Sequence, residues 1–303
     1  MKVWIAHEEG ADLLGEVPAG VKIEVLTHPD RPPSDPSDVE FWVPPFVAKD
    51  QAVRLATAMP RLKVVQLLSA GVEAWVGQFP PGVTLCDGRG VHDSSTSEWA
   101  ITAILSYLRE FPHFAREQAA RRWTGRPTGE LAGKRVLIVG AGAIGEALAA
   151  RLAPFEVSVT RVARTARAGV HGVDELPSLL PNADIVVLLV PLTEATAGLV
   201  DAKFLAAMPD GALLVNGARG ALVDAAALTA EVTSGRLGLA TDVTNPEPLP
   251  ADNPLWTLPN VLITPHVAGA APGFTRRAYR LVGAQLRRFC AGAPLENIVT
   301  DGY

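Results

Sequence analysis

Short apolar runs rich in β-branched residues recur along the chain, and stretches of helical length separate them. This alternation is typical of parallel strands with helices packed on the faces of a sheet. In the first third of the chain, the pattern predicts helices over residues 48–59 and 72–78. It predicts strands over residues 3–6, 22–26, 40–43, 62–68 and 83–86.

Residues 95–122 are rich in helix formers and predict a long helix that Pro112 kinks or divides. A second series of apolar runs begins after Lys134. It predicts helices over residues 144–152, 201–208, 224–234 and 274–290, and strands over residues 135–139, 157–162, 184–190, 212–215, 237–242 and 261–263. The expected fold class is therefore α/β, with two doubly wound parallel-sheet domains.

The composition of the chain indicates which classes of binding partner to expect. The chain has 303 residues and a net charge of -5, and a mildly acidic surface has no attraction for phosphate backbones or anionic lipids. We therefore expect neither nucleic acid nor a membrane as a partner. The two cysteines have no metal or redox spacing, which indicates reduced packing residues in a cytoplasmic protein. The histidines fit no zinc motif, so no metal site is predicted.

A glycine-rich turn links the predicted strand 135–139 to the predicted helix 144–152. Its sequence, Gly140-Ala141-Gly142-Ala143-Ile144-Gly145, has the GxGxxG spacing in the strand-to-helix context of a dinucleotide site. Gly140 allows the tight turn, Gly142 lets the backbone approach a pyrophosphate, and Gly145 lets the helix pack on the strand. The helix N-terminus attracts the anion. A tight turn without a ligand is the alternative.

The residues after the next predicted strand bear on the choice of cofactor. An acid there would bind the ribose 2′-hydroxyl of NAD, whereas arginine accommodates the 2′-phosphate of NADP. The chain has no acid at this point and carries Arg164, Thr165 and Arg167. We therefore expect NADP, with NAD possible as a weaker cofactor and a solvated basic loop as the alternative reading.

Three later strands are each followed by polar residues at the edge where α/β sheets bind ligands. Arg219 follows residues 212–215, Asp242 ends the predicted strand 237–242 and Glu247 follows it, and His266 follows residues 261–263. An arginine, a glutamate and a histidine beside a nicotinamide are sufficient to reduce a keto acid. Singly, each could instead be a structural ion-pair partner or a loop residue.

The strings VNGARG, DVTNPEPLP, NPLW and TPHVAG, together with the glycine-rich turn, resemble the D-isomer-specific 2-hydroxyacid dehydrogenase family. The resemblance runs from about residue 71 to residue 275. It implies a Rossmann cofactor domain, residues 98–271, inserted in a flavodoxin-like substrate domain of residues 1–97 and 272–303. It also implies a homodimer, and residues 121–123 beyond the long helix could reach across it.

The resemblance assigns roles to individual residues. Arg219 matches the arginine that binds the substrate carboxylate and carbonyl, His266 the general acid/base, and Glu247 the carboxylate that orients it. Asp242 matches a residue near the nicotinamide carboxamide. The resemblance adds Thr96 and Pro191 as cofactor contacts, and a substrate-carboxylate loop at Ser69, Ala70 and Gly71.

The implied activity is hydride transfer between NADP(H) and a small 2-keto or 2-hydroxy acid of the glyoxylate or hydroxypyruvate type. A phosphite dehydrogenase-like enzyme and a dinucleotide-sensing corepressor-like protein share the fold and stay open as alternatives. Formate dehydrogenases pair the histidine with glutamine, and Glu247 argues against that branch. The chain departs from the family at Gly217, where many relatives have Thr or Ser, and this affects the prediction of substrate specificity.

Overall fold

The computed structural model describes residues 1–45 and 49–300. The chain divides into two compact units, the first formed by Met1–His92 with Pro272–Tyr303 and the second by Asp93–Ala271. The first predicted domain boundary, after residue 97, falls within the first helix of the second unit. Ala48, where a helix was expected to begin, and residues 301–303 of the predicted substrate domain lie outside the described residues.

The first unit contains a five-stranded parallel sheet. Its strand order is β2-β1-β3-β4-β5, which is the flavodoxin-like order. The strands are Lys2–Ile5 (β1), Lys22–Val25 (β2), Val39–Trp42 (β3), Val64–Gln66 (β4) and Thr84–Cys86 (β5), and the helices are Gly10–Leu13 (α1), Lys49–Ala56 (α2) and the C-terminal Phe274–Cys290 (α9).

Side chains along β1 point alternately to the two faces of the sheet, and the core of this unit accordingly has two layers. Val3 and Ile5 pack in one cluster with Tyr279 and Val282 of α9. Trp4 points to the opposite face, where it joins Trp42 and Leu26. Because successive side chains of a strand alternate between faces, a single apolar strand supplies both layers.

The second unit contains a seven-stranded sheet in which all pairs are parallel, with the order β12-β11-β10-β9-β6-β7-β8. Its strands are Arg135–Val139 (β6), Ser158–Ala163 (β7), His171–Gly172 (β8), Ile185–Leu188 (β9), Leu213–Asn216 (β10), Gly238–Thr241 (β11) and Val261–Ile263 (β12). Its helices are Asp93–Leu108 (α3), Phe111–Ala119 (α4), Ala143–Leu152 (α5), Leu176–Leu179 (α6), Ala202–Ala207 (α7) and Ala225–Thr233 (α8). The predicted fold class is confirmed.

The long predicted helix is divided, as expected, near Pro112. α3 ends at Leu108, Glu110 adopts a left-handed backbone with φ 52°, and Pro112 stands in the first turn of α4. Proline is tolerated there because the first backbone N–H groups of a helix have no partner within it.

Two expectations were wrong. Residues 73–77 form hydrogen-bonded turns instead of the helix expected over residues 72–78, because Gly77 has φ +72° and Pro80 and Pro81 follow shortly after it. Of the two free cysteines, Cys86 is buried but Cys290 is exposed, so the packing role applies to Cys86 alone. Within the described part of the chain, no helix has both the length and the apolar character needed to cross a membrane.

Candidate active site

Except for Thr96, which lies within α3, the candidate residues of the second unit follow parallel strands of one sheet and therefore lie along the same edge of that sheet. The glycine-rich turn follows β6, and the other candidates follow other strands of the same sheet. Arg164 follows β7, Pro191 follows β9, Arg219 follows β10, Asp242 follows β11 and His266 follows β12.

Close backbone approaches explain the glycines of the turn. Gly140 has φ +120°, and a Cβ atom there would lie 2.5 Å from the carbonyl carbon of Leu189. A Cβ atom at Gly145 would lie 2.0 Å from the carbonyl oxygen of Gly140. At Gly142, in contrast, a Cβ atom would meet nothing within 4 Å. Gly140 and Gly145 close the turn, while Gly142 leaves open space beside the backbone.

These residues fit the pyrophosphate of a dinucleotide. α5 begins at Ala143 with Gly142 as its N-cap, so no side chain occupies the helix N-terminus. The first N–H groups of the helix, including those of Ala143 and Ile144, have no acceptor within it and attract an anion. The open space at Gly142 lets that anion come close to the backbone.

The basic loop after β7 packs against the glycine-rich turn. An Nη2 donor of Arg167 binds the carbonyl oxygen of Ala141 at 2.7 Å. The backbone groups of Arg167 and Val170 bond to each other in both directions, which closes the loop. Arg164 and Thr165 are exposed beyond the end of β7, where Ala163 takes the place of an acid. The loop thus presents cations and a hydroxyl beside the dinucleotide turn.

Sequence reasoning missed one acidic residue near this loop. Glu146, in the first turn of α5, is paired with Arg161 of β7 and lies 3.9 Å from Arg167. Its position after the last glycine of the motif was the available signal.

The remaining expected cofactor contacts differ in exposure. Pro191 is exposed, and its carbonyl oxygen accepts a hydrogen bond from the Thr196 hydroxyl at 2.7 Å. The backbone just before it, at Leu189 and Val190, is the segment that Gly140 touches. Thr96 is buried in α3, with 5% of its surface exposed. The structure thus brings Pro191 beside the turn, whereas Thr96 is buried within α3.

Arg219 is held by the asparagine that ends β10. Asn216 donates to the carbonyl oxygen of Arg219 at 3.0 Å and accepts from the N–H of Ala218 at 3.1 Å. The next residue is Gly220, where a Cβ atom would lie 2.0 Å from the carbonyl oxygen of Thr244. The loop that carries Arg219 therefore touches the segment that leads to Glu247. Asn216 and Gly220 were not singled out from the sequence.

His266 and Glu247 form a pair. His266 Nδ1 lies 2.6 Å from Glu247 Oε1, and the two side chains are 48% and 42% exposed. His266 has a left-handed backbone with φ 54°, which is uncommon for a residue other than glycine. A histidine that binds a carboxylate through Nδ1 presents Nε2 for proton transfer.

Asp242 is buried, and its carboxylate accepts several hydrogen bonds from the histidine loop. The donors are the Thr264 hydroxyl at 2.6 Å, the Val267 N–H at 2.9 Å and the Ala268 N–H at 2.8 Å. Asp242 therefore organises the loop around His266. Its expected place near a nicotinamide carboxamide stays a prediction.

The model of the family described as D-isomer specific 2-hydroxyacid dehydrogenase, NAD binding domain, matches residues 101–268. The chain belongs to the D-isomer-specific 2-hydroxyacid dehydrogenase family. This confirms the family resemblance, the cofactor class and the enzyme class: the protein is an NAD(P)-dependent 2-hydroxyacid dehydrogenase.

Relatives of this dehydrogenase cover most of its length. A D-isomer specific 2-hydroxyacid dehydrogenase from Xanthobacter autotrophicus Py2, crystallised with NADPH and MES, is 32% identical, with a TM-score of 0.84 and 99% and 97% of the two chains covered. An NADPH-dependent glyoxylate/hydroxypyruvate reductase from Sinorhizobium meliloti, crystallised with NADP and sulfate, is 29% identical, with a TM-score of 0.84 and 98% of each chain covered.

Formate dehydrogenases are also similar to this dehydrogenase. The chloroplastic/mitochondrial enzyme of Arabidopsis thaliana is 32% identical, and the aligned region covers 73% of this chain and 62% of that enzyme.

The expected substrate loop lies in the first unit of the dehydrogenase, after β4. The Ser69 hydroxyl donates to the Gly71 carbonyl oxygen at 3.1 Å, and Ala70 between them is partly exposed. The Ser69 carbonyl oxygen accepts from the N–H of Gly88 at 2.7 Å. A Cβ atom at Gly88 would lie 2.6 Å from the Leu68 carbonyl carbon. Gly88, another residue not singled out from the sequence, thus shapes this loop.

Proposed function

We propose that this dehydrogenase uses NADPH to reduce a small 2-keto acid, of the glyoxylate or hydroxypyruvate type, to the D-2-hydroxy acid. The observation that carries the proposal is the His266–Glu247 pair, at 2.6 Å, on the same sheet edge as Arg219 and the dinucleotide turn. A cationic anchor and a proton donor at one edge are what keto-acid reduction requires.

Arg219 binds the substrate in this proposal. A planar guanidinium donates two parallel hydrogen bonds to a carboxylate and withdraws electron density from the adjacent carbonyl. The hydrogen bond from Asn216 and the close approach of Gly220 to Thr244 hold the Arg219 backbone in place. The Arg219 side chain is therefore attached to a well-defined backbone position.

His266 supplies the proton. When bound, the nicotinamide supplies the hydride to the carbonyl carbon. His266, protonated and paired with Glu247 through Nδ1, donates the Nε2 proton to the carbonyl oxygen, which becomes the hydroxyl of the product. The Glu247 carboxylate lies 2.6 Å from Nδ1 and orients the ring, so that Nε2 is the nitrogen available to the carbonyl oxygen. In the reverse direction the neutral ring accepts the same proton.

The basic loop supports NADP over NAD. Arg164, Thr165 and Arg167 offer charge-assisted and neutral hydrogen bonds to a 2′-phosphate, and Ala163 offers no acceptor to a 2′-hydroxyl. Both solved relatives described above were crystallised with NADP or NADPH. We also propose that Thr96, Pro191 and Asp242 contact the cofactor, and that the N–H groups of residues 69–71 bind the substrate carboxylate.

The test is an assay of NADPH oxidation with a panel of 2-keto acids, paired with assays of NADP⁺ and NAD⁺ reduction by formate and by phosphite. We expect turnover with glyoxylate or hydroxypyruvate and none with formate or phosphite. Turnover with phosphite alone would favour the phosphite dehydrogenase alternative. Cofactor binding without turnover of any panel member would favour a dinucleotide-sensing protein.

A homodimer is part of the proposal. Phe111 and Trp123 are large apolar side chains that α4 and the following turn leave exposed, Trp123 completely. Glu117 accepts hydrogen bonds from Arg122 at 2.9 Å and Thr124 at 2.7 Å, which fixes the turn that carries Trp123. Exposed apolar groups held in place are typical of protein interfaces. Sedimentation equilibrium should give a dimer for the wild type and a weaker dimer for Trp123→Ala.

A further inference from the structure

The left-handed backbone of His266 needs support, because such a conformation persists only where surrounding contacts hold it. The N–H of His266 donates to the backbone carbonyl oxygen of Asp242 at 2.7 Å. The Asp242 carboxylate then accepts from the next two N–H groups of the loop, those of Val267 and Ala268. One buried residue therefore determines the course of the chain at and after the histidine.

A chain of hydrogen bonds orients that carboxylate in turn. The Thr264 hydroxyl donates to Asp242 Oδ1 at 2.6 Å and accepts from the indole Nε1–H of Trp99, in α3, at 2.8 Å. An indole N–H only donates and an ionised carboxylate only accepts, so the hydroxyl proton of Thr264 has a single direction. We call this series of hydrogen bonds, from the Trp99 indole through the Thr264 hydroxyl to the Asp242 carboxylate, the relay. Its donors and acceptors can be arranged in only one way, and that arrangement supports the loop of His266.

The indole ring itself is held by packing. A Cβ atom at Gly217 would lie 3.0 Å from Trp99 Cζ3 and 3.5 Å from Leu189 Cδ2. The Trp99 ring therefore fills the space beside Gly217, in the loop just before Arg219, that a side chain at this position would occupy.

We propose that Trp99 and Thr264 are positioning residues that, through Asp242, hold His266 where it donates its proton. The proposal rests on the proposed function, because it takes His266 as the proton donor. Neither residue need touch the substrate or cofactor. Loss of the relay should therefore slow the chemical step and leave both binding steps largely unchanged.

The test compares two substitutions at one position. Thr264→Val removes the hydroxyl at nearly constant shape, whereas Thr264→Ser keeps it. We expect Thr264→Val to lower kcat by at least about tenfold with KM for the keto acid little changed, and Thr264→Ser to restore most of the rate. Fluorescence titration should give the wild-type Kd for NADPH in both variants. Thr102→Val, which removes an exposed hydroxyl from the same helix as Trp99, is the control and should leave kcat unchanged.

A second variant covers the case in which Thr264→Val fails to fold. Trp99→Phe keeps an aromatic ring over Gly217 but removes the donor, and it should lower kcat in the same way. Wild-type kcat in Thr264→Val or in Trp99→Phe, or an equal loss in Thr264→Val and Thr264→Ser, would overturn the proposal. His266→Gln separates the two claims. If His266→Gln keeps wild-type kcat, the proposed function is wrong. If His266→Gln loses activity while Thr264→Val and Trp99→Phe keep it, only the positioning role of Trp99 and Thr264 is wrong.

Discussion

His266 Nδ1 and Glu247 Oε1 lie 2.6 Å apart although the two residues are 19 positions apart in the chain. The contact forms because Glu247 follows β11 and His266 follows β12, two neighbouring parallel strands of the same sheet. The carboxylate binds Nδ1 and leaves Nε2 as the nitrogen that faces the substrate carbonyl in the proposed reaction.

Glu247→Gln removes the charge but keeps a hydrogen-bonding group. The protonated form of His266 loses its ionic partner, and this form is the active one in keto-acid reduction. We therefore expect kcat for keto-acid reduction to fall by about tenfold or more, with the Kd for NADPH near the wild-type value. Glu175→Gln is the matched control, since Glu175 pairs with His171 at 2.7 Å on the surface. Wild-type kcat in Glu247→Gln would remove this residue from the mechanism.

Arg219→Lys keeps the positive charge but loses the planar pair of donors. We expect a higher KM for the keto acid and a lower kcat, with the Kd for NADPH near the wild-type value. Arg135 supplies the control, because it makes a two-point contact with Asp184 at the start of β6, away from the candidate edge. Arg135→Lys should leave the kinetics unchanged. Wild-type turnover by Arg219→Ala would show that the substrate anchor is misassigned.

The fold, and the sheet edge on which the main candidates lie, could be predicted from the sequence because both follow from local patterns. Buried runs such as residues 185–188 determine the sheet, and polar residues just after strands must meet at its carboxyl edge. Trp99, Asn216 and Thr264 could not be predicted, because their roles depend on contacts between distant segments. Trp99 and Thr264, for example, are 165 residues apart. The error at residues 72–78 has the opposite origin: a local helical pattern was interrupted by Gly77 and the prolines after it.

Cofactor preference depends on the loop after β7. We expect kcat/KM for NADPH to exceed that for NADH by at least about tenfold, which corresponds to about 1.4 kcal/mol. Ala163→Asp combined with Arg164→Ala should reverse much of this preference, because it adds an acceptor for a 2′-hydroxyl and repels a 2′-phosphate. The preference should also shrink as salt increases, because the loop is exposed.

For the double variant Ala163→Asp, Arg164→Ala, the internal control is kcat for the keto acid at saturating cofactor. This kcat should change little. Competition by 2′,5′-ADP and by 5′-AMP provides a second readout that requires no turnover of the cofactor. Equal inhibition of the wild type by the two nucleotides would contradict the assignment of the basic loop to the 2′-phosphate.

Gly88→Ala tests the loop at residues 69–71. The added methyl group would meet the Leu68–Ser69 peptide at 2.6–2.7 Å and must displace it. We expect a higher KM for the keto acid with an unchanged Kd for NADPH. Gly10→Ala, whose methyl group would meet the Tyr279 ring at 2.4 Å in the same unit, controls for lost stability. Both variants should lower the melting temperature, and only Gly88→Ala should raise KM. An equal KM in the two variants would argue against a substrate role for this loop.

The most direct test of the central claim is the identity of the product. The purified protein is incubated with hydroxypyruvate and NADPH, and the glycerate formed is resolved by chiral chromatography. The proposed reaction predicts that NADPH is consumed in equal amount to the glycerate formed and that the product is the D enantiomer. Formation of L-glycerate, or no NADPH consumption with hydroxypyruvate, glyoxylate or any other small 2-keto acid, would contradict it.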